Sequence, residues 1–133
     1  MAALTATIDH RDPAVAVLHL TGEHDAYSAN RLQKRLAALL DEGLSVVVDL
    51  CSAAFIDSAT LGALLAGRTE AEEAELGFVL RLGDDAAQQV QRIFAITGLE
   101  AAFAVARTIE QAVDDARSGC VLPSPHEALD RSE

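Results

Sequence analysis

The sequence is poor in aromatic residues and in cysteine. Among 133 residues, aromatic side chains make up 4%, Trp is absent, and the two cysteines, Cys51 and Cys120, lie far apart. A hydrophobic fraction of 50% with so few aromatics predicts a core built from Ala, Val, Leu and Ile. Two thiols outside any Cys-x-x-Cys pair make no disulfide framework for a chain of this size, so we interpret them as reduced thiols of a cytoplasmic protein.

Long apolar runs and basic segments are also missing. No run approaches the ~20 apolar residues that a membrane-spanning helix needs. The N-terminus, MAALTATIDHRD, has neither the basic start nor the apolar core of a secretory signal. The formal net charge of −11 repels phosphate backbones and anionic lipid heads. The sequence therefore predicts a cytoplasmic protein that neither inserts into membranes nor binds nucleic acid.

Sequence motifs of enzymes, metal sites and nucleotide sites are absent as well. None of the histidines has the i, i+4 helical spacing of a metalloprotease or belongs to a Cys/His cluster. Ser58 is not part of a Gly-x-Ser-x-Gly motif, since Ile56 and Thr60 stand at the two glycine positions. No phosphate-binding glycine loop follows a strand pattern. We expect no catalytic activity, no metal and no cofactor.

What the sequence does contain is an alternation of strand and helix patterns in the order ββαβαβαβα. Strands are predicted at residues 4–8, 15–20, 45–51, 77–82 and 102–105, and helices are predicted to begin at the candidate caps Ser28, Ser58, Asp84 or Asp85, and Thr108. This order predicts an α/β domain over residues 1–116, with an antiparallel edge hairpin, parallel strands and about four α-helices. Residues 117–133 lack periodicity and are predicted to be a flexible tail.

The segment FIDSATLGALL, residues 55–65, is the most informative part of the chain. A helix that begins near Ser58 turns Leu61, Leu64 and Leu65 inward. A second side carries small residues, namely Ala59, Gly62, Ala63, Ala66 and Gly67. These permit close packing against a neighbouring helix, or they form a flat surface for a partner protein. Each glycine in a helix costs roughly 1 kcal/mol relative to alanine, so a reason outside the helix is worth considering.

Three motifs give the chain a family resemblance. VVVDLCSAAFIDSATLGALL resembles the central signature of STAS domains, the fold of bacterial anti-sigma factor antagonists. TGEHDAYSANRL is similar to the Gly-Glu-Leu-Asp stretch of that family, and VQRIFAITGLEAAFAVARTIEQAV is similar to its closing segment. The resemblance covers about residues 4–116, and its order of elements agrees with the one predicted above.

The resemblance implies a role and a site. In the family, a partner that is both an anti-sigma factor and a serine kinase phosphorylates the serine of the Asp-Ser pair, which is Ser58 here. The unphosphorylated antagonist binds this kinase and frees a sigma factor, and phosphorylation releases the antagonist. On this basis the predicted partner-binding residues around Ser58 are Asp25, Asp57, Ala59, Thr60, Gly62 and Ala63. For Asp25 the alternative is that it only caps backbone N–H groups before the first helix.

Two departures from the family pattern leave an alternative open. Thr60 stands where the family usually has glycine, and His24 replaces a common leucine and makes its loop more polar. The alternative is a STAS subunit of a stressosome-like or transporter-associated complex, in which Ser58 is never phosphorylated. Homodimerisation is also left open, since no aromatic-rich or heptad surface indicates it.

Overall fold

The structure, a computed structural model, describes residues 2–123 and consists of one sheet with helices on both faces. Its strands are β1 (Ala3–Asp9), β2 (Val15–His24), β3 (Ser45–Asp49), β4 (Ala53–Ile56), β5 (Phe78–Arg81) and β6 (Ala104–Ala106). Its helices are α1 (Ala26–Asp41), α2 (Ser58–Glu73), α3 (Gln88–Thr97) and α4 (Ile109–Arg117). None of these helices is long and apolar enough to cross a membrane.

The sheet is mixed, as the sequence predicts. The strand order is β1-β2-β3-β5-β6, and β4 pairs with β2 beside this path. β1 and β2 are antiparallel, whereas β2, β3, β5 and β6 run parallel. β3 lies between β2 and β5, and all five of its residues are buried. The predicted fold class and the central position of β3 are therefore confirmed.

Each face of the sheet is covered by its own layer of helices. Val46 and Val48 of β3 belong to the larger apolar cluster, which α1, α2 and α3 complete. Val47 points to the opposite face because successive side chains of a strand alternate, and there it packs with Ala112 and Val113 of α4. Aliphatic residues dominate both clusters, in agreement with the low aromatic content.

β4 is a strand that the sequence patterns do not predict. It pairs in parallel with the end of β2, where His24 lies opposite Ile56. β2 is correspondingly longer than predicted and continues past Leu20 to His24. Only four residues make up β4, and two of them are exposed, so its sequence has no run long enough to identify a strand.

α3 begins later than predicted, at Gln88 rather than near Asp84 or Asp85. Both acids form ion pairs instead of capping the helix: Asp84 with Arg107, and Asp85 with Arg81 at 3.8 Å. The prediction of an aspartate cap is therefore wrong. The residue at the cap position, Ala87, makes no side-chain hydrogen bond to the helix.

Packing continues past the predicted domain boundary at residue 116. Arg117 ends α4, and its Nη2 lies 2.9 Å from Oδ1 of Asp9. The backbone N–H of Phe78 donates to the carbonyl of Cys120 at 2.7 Å. The chain is thus attached to the domain at least as far as Cys120. Most of the predicted tail, residues 124–133, lies outside the described residues.

Candidate functional site

Two helices begin side by side at one edge of the sheet. β2 ends at His24 and β4 ends at Ile56, and these two residues are partners in the parallel pairing. The next residue in each chain segment is an aspartate that caps a helix, Asp25 for α1 and Asp57 for α2. The strand pairing therefore brings two acid-capped helix N-termini together, and Ser58 is the first residue of α2.

Asp25 is held in a reciprocal cap. Its Oδ1 accepts from the backbone N–H groups of Tyr27 at 3.0 Å and Ser28 at 3.1 Å, while its own N–H donates to Oγ of Ser28 at 3.0 Å. These hydrogen bonds hold the pKa of the Asp25 carboxyl below its usual range. The prediction that Ser28 caps α1 is therefore wrong: Ser28 lies in the first turn and is buried, and the exposed Asp25 takes the cap position.

Thr60 connects the start of α2 to the end of β2 through hydrogen bonds. Oδ1 of Asp57 accepts from the backbone N–H of Thr60 at 2.9 Å and lies 3.0 Å from its hydroxyl. The same hydroxyl lies 3.3 Å from the backbone carbonyl of His24. Thr60 is fully buried, so it cannot contact a partner directly. Its predicted partner-binding role is corrected to an internal one.

Ser58 has the geometry that a modification site needs. It is exposed, and its hydroxyl makes no hydrogen bond to any residue between 2 and 123. The alternative in which Ser58 only caps α2 does not hold, because Asp57 takes the cap position and Ser58 follows it. The nearby Ala59 and Asp57 are half-buried.

The small residues of α2 divide between two surroundings. A Cβ on Gly67 would lie 2.9 Å from Cδ1 of Leu36 and 3.0 Å from Cε2 of Phe78, so this glycine allows α1 and the sheet to pack closely. A Cβ on Gly62 would meet nothing within 4 Å. Ala63 is buried, which corrects the prediction that it faces a partner. The close-packing explanation therefore applies to Gly67 and not to Gly62.

His24 is a buried polar residue at the same edge. Its Nε2 lies 3.0 Å from the carbonyl of Thr21, and its Nδ1 has no hydrogen-bond partner among residues 2–123. Burial lowers the pKa of this imidazole, since the charged form loses its hydration. The prediction that His24 makes the loop more polar is wrong, because the ring is turned into the core.

Two exposed aromatic residues near Ser58 were not predicted. Tyr27, in the first turn of α1, is 82% exposed, and Phe55, three residues before Ser58, is 40% exposed. A chain with so few aromatics places these two at the edge that carries Asp25 and Ser58. Their sequence positions next to the motif residues were the available signal, since an aromatic outside a periodic apolar face has no core position to fill.

Gln89 of α3 contacts the segment that leads to Ser58. Its Nε2 donates to the carbonyl of Ile56 at 2.9 Å, and its Oε1 accepts from the N–H of Ile56 at 3.0 Å. The side-chain amide thus pairs with one backbone residue of β4 in the way a neighbouring strand would. Residues 2–123 contain no group of three or more side chains suited to hold a metal ion.

Comparisons with known proteins agree with this geometry. The chain matches the family described as Mlab, STAS domain, over residues 9–109. An anti-sigma factor antagonist from Mycobacterium paratuberculosis is similar in structure with 26% identity and a TM-score of 0.69, covering 86% of this chain and 95% of its own.

Two solved forms of SpoIIAA share the fold at lower identity. The unphosphorylated form of this anti-sigma factor antagonist is 17% identical with a TM-score of 0.63, covering 98% of this chain and 97% of its own. The phosphorylated form, described as a Bacillus cell fate determinant, is 19% identical with a TM-score of 0.57, covering 98% and 100%. The resemblance that the motifs predict is confirmed.

Proposed function

Because the chain belongs to the STAS domain family, we propose that it is an anti-sigma factor antagonist controlled by phosphorylation of Ser58. Unphosphorylated, it binds an anti-sigma factor that is also a serine kinase, and a sigma factor is freed to act in bacterial transcription. The observation that carries the proposal is the exposed Ser58 at the first position of α2, whose hydroxyl makes no hydrogen bond within the part of the chain that the structure describes.

The modification is a phosphoryl transfer from ATP held by the kinase. The Ser58 oxygen attacks the γ-phosphorus, and a new O–P bond forms while the bond from that phosphorus to the bridging oxygen breaks. ADP leaves, and the hydroxyl proton passes to a carboxylate base of the kinase. The chain itself contributes an accessible acceptor and no catalytic group, so we propose a binding protein and not an enzyme.

A phosphate at Ser58 would change the surface without unfolding the domain. It adds about −1.5 to −2 charge, and the positive end of the α2 dipole favours an anion at this position. The adjacent carboxylate of Asp57 repels it. A hydrated dianion in the contact surface opposes partner binding, and a hundredfold loss of affinity requires only about 2.8 kcal/mol.

The surface around Ser58 suits an apolar protein contact with an acidic rim. Tyr27 and Phe55 supply exposed aromatic area, and the bare backbone at Gly62 permits a close approach. Asp25 and Glu23 are exposed at the same edge. Opposite charge on the partner would speed association with an acidic chain of this kind. We propose that the kinase contacts Asp25, Asp57, Ala59 and Gly62 together with the two aromatics.

The test compares Ser58→Ala and Ser58→Glu with Ser52→Ala, a control at another exposed serine. Each protein is immobilised, exposed to a lysate of the native cells with ATP, and the bound ATP-binding protein is identified, purified and titrated. We expect Ser58→Ala to retain it with ATP present, Ser58→Glu to bind at least tenfold more weakly, and Ser52→Ala to behave like the wild type. Mass spectrometry of the wild type should find phosphate on Ser58. Equal binding by all variants would refute the switch.

A second candidate is a STAS subunit that is never phosphorylated. The family description that the chain matches names a STAS domain and no sigma-factor role, which favours keeping this alternative. In that case the same surface would join a larger assembly, of the stressosome-like or transporter-associated kind. The absence of phosphate on Ser58, together with binding of a partner without ATP-binding activity, would support the second candidate over the first.

A further inference from the structure

The segment before Ser58 is fixed on one side by a weak strand pairing. β4 pairs with β2 through three residue pairs, and the register shifts between Gly22 and Glu23. Ala54 and Phe55 are exposed. A pairing this short and irregular supplies few hydrogen bonds. The position of the Ile56 peptide therefore depends on contacts on the side of β4 that faces away from β2.

On that other side lies Gln89, with both amide groups paired to Ile56. The helix that carries Gln89 is itself anchored in the core. Val90 and Phe94 of α3 are fully buried or nearly so, and the Phe94 ring packs edge-on against Phe103 with a centroid distance of 6.2 Å. The backbone of Gln89 is therefore held in place by the packing of α3, and its side chain bonds Ile56, two positions before Ser58.

We propose that Gln89 is a positioning residue for the phosphorylation of Ser58: its two hydrogen bonds to Ile56 hold the Ile56-Asp57-Ser58 segment in the form that the kinase phosphorylates. The inference rests on the proposed function, because it assumes that Ser58 is the acceptor. Gln89 is half-buried behind β4 and touches neither ATP nor the acceptor oxygen. It acts through the backbone of Ile56 and through the Asp57 cap that follows.

The physical reason is the geometry of phosphoryl transfer. The acceptor oxygen must lie in line with the bond from the γ-phosphorus to the leaving oxygen, at a near-attack distance. A segment that samples several conformations places its hydroxyl correctly only part of the time. A displacement of about 1 Å at the reacting atoms costs up to ~100-fold in rate. The loss falls on kcat, because the docking surface of Tyr27 and Gly62 stays intact.

Gln91 supplies a matched control on the same helix. Its Nε2 also donates to backbone carbonyls, at 2.8 Å to Ala86 and 3.3 Å to Asp84, but these lie in the loop between β5 and α3. Gln91→Leu thus removes the same kind of bond from the loop before α3 and leaves the backbone of β4 fully bonded to Gln89. Gln89→Leu removes both bonds to Ile56 at similar volume, and Gln89→Glu keeps the acceptor but loses the donor.

Two measurements test the proposal. Amide hydrogen exchange of the full chain, followed by NMR at Ile56, measures how well the two Gln89 bonds protect the Ile56 N–H, and it needs no kinase. Steady-state phosphorylation of Ser58, with ATP and the purified kinase that Ser58→Ala captures, reports the consequence of these bonds. For Gln89→Leu we expect at least tenfold faster exchange at Ile56 and a kcat about 10- to 100-fold lower with KM unchanged. Gln89→Glu should lie between this variant and the wild type, and Gln91→Leu should match the wild type.

The outcomes separate this inference from the proposed function. Unchanged exchange at Ile56, unchanged kcat, or a rise in KM alone for Gln89→Leu would each overturn the positioning role. An equal effect of Gln91→Leu would overturn it too, since any loosening of α3 would then suffice. If the captured partner leaves wild-type Ser58 unmodified, the proposed function has failed and the positioning role falls with it. The rate of amide exchange at Ile56 then still shows whether the hydrogen bonds from Gln89 protect this residue.

Discussion

The hydroxyl of Thr60 on α2 lies 3.3 Å from the backbone carbonyl of His24, the last residue of β2. This contact joins two residues that are 36 positions apart in sequence and lie in different elements. It fixes how the start of α2, with Ser58, sits beside the start of α1, with Asp25. The site therefore depends on a residue that is itself buried and invisible to a partner.

Removing this hydroxyl should destabilise the domain. Thr60→Val keeps the shape of the side chain but removes the buried hydroxyl that bonds the His24 carbonyl and Oδ1 of Asp57, at a cost of about 1–3 kcal/mol. Thr69→Val is the matched control, because Thr69 lies on the same helix and its hydroxyl also bonds a backbone carbonyl, that of Leu65 at 3.1 Å, but is exposed. The control should change stability by less than about 0.5 kcal/mol. Urea unfolding measures both, and equal values would contradict the role of Thr60.

Much of this architecture can be predicted from the sequence because its signals are local and strong. The centre of β3 is the β-branched run of Val46, Val47 and Val48, which is typical of a strand buried on both faces. Of the predicted inward positions, Leu61 and Leu64 are buried because an apolar spacing of three or four residues defines one helix face, whereas Leu65 is only half-buried. The pair Asp57-Ser58 also predicts where α2 begins, because an aspartate followed by a serine is typical of a helix N-terminus.

Other features could not be predicted because they depend on tertiary contacts. Asp25 and Ser28 are both good caps, and only the fold decides which takes the role. Gly62 and Gly67 look alike in sequence, yet only Gly67 meets another element. The bond between Gln89 and Ile56 joins residues 33 apart and has no local signal. The burial of Thr60 follows from the neighbouring strand and not from its residue type.

The two glycines of α2 should respond to alanine in opposite directions. Gly62→Ala should stabilise the chain by up to ~1 kcal/mol, because alanine favours the helix and its methyl group meets nothing within 4 Å. Gly67→Ala should destabilise it, since overpacking against Leu36 and Phe78 costs typically 1–3 kcal/mol. Thermal unfolding compares the two. If Gly62 serves partner binding, Gly62→Ala should also weaken the complex in titration calorimetry, whereas a stabilised variant with unchanged affinity would remove Gly62 from the interface.

Stability should fall in mild acid because of His24. Burial lowers its pKa in the folded state below the ordinary value of 6.5, so the unfolded state binds the extra proton first. The free energy of unfolding is highest above the pKa that His24 has in the unfolded chain. As the pH falls below that value, the free energy of unfolding decreases by up to ~1.4 kcal/mol per pH unit, until the pKa of His24 in the folded state is reached. His24→Leu should reduce this slope, while His10→Leu, in the exposed turn, should keep it. Urea unfolding at several pH values between 7.5 and 5.5 measures the dependence of stability on pH. Identical pH dependence for wild type and His24→Leu would rule out His24 as the cause.

Tyr27 should matter for binding and not for folding. Its side chain is 82% exposed, so Tyr27→Ala should change unfolding free energy by less than about 0.5 kcal/mol. An aromatic at the centre of an interface typically costs more than 1 kcal/mol on truncation, so affinity for the captured partner should fall at least fivefold. Ile96→Ala is the control, since Ile96 is 76% exposed on α3. A loss of affinity in the control alone would move the interface away from Ser58.

Asp25→Asn separates the capping role of this residue from a role in partner binding. Asparagine caps helices about as well as aspartate, so the bonds to Tyr27 and Ser28 should survive and stability should change by only a few tenths of a kcal/mol. Asp41→Asn, at the other end of α1, is the control for the loss of one negative charge. If the carboxylate of Asp25 receives the kinase, Asp25→Asn should slow phosphorylation of Ser58 and weaken binding several-fold, while Asp41→Asn leaves both unchanged. The salt dependence of association adds a further check, because an exposed charge contact weakens as ionic strength rises. Wild-type phosphorylation and affinity in Asp25→Asn would leave Asp25 with its cap alone.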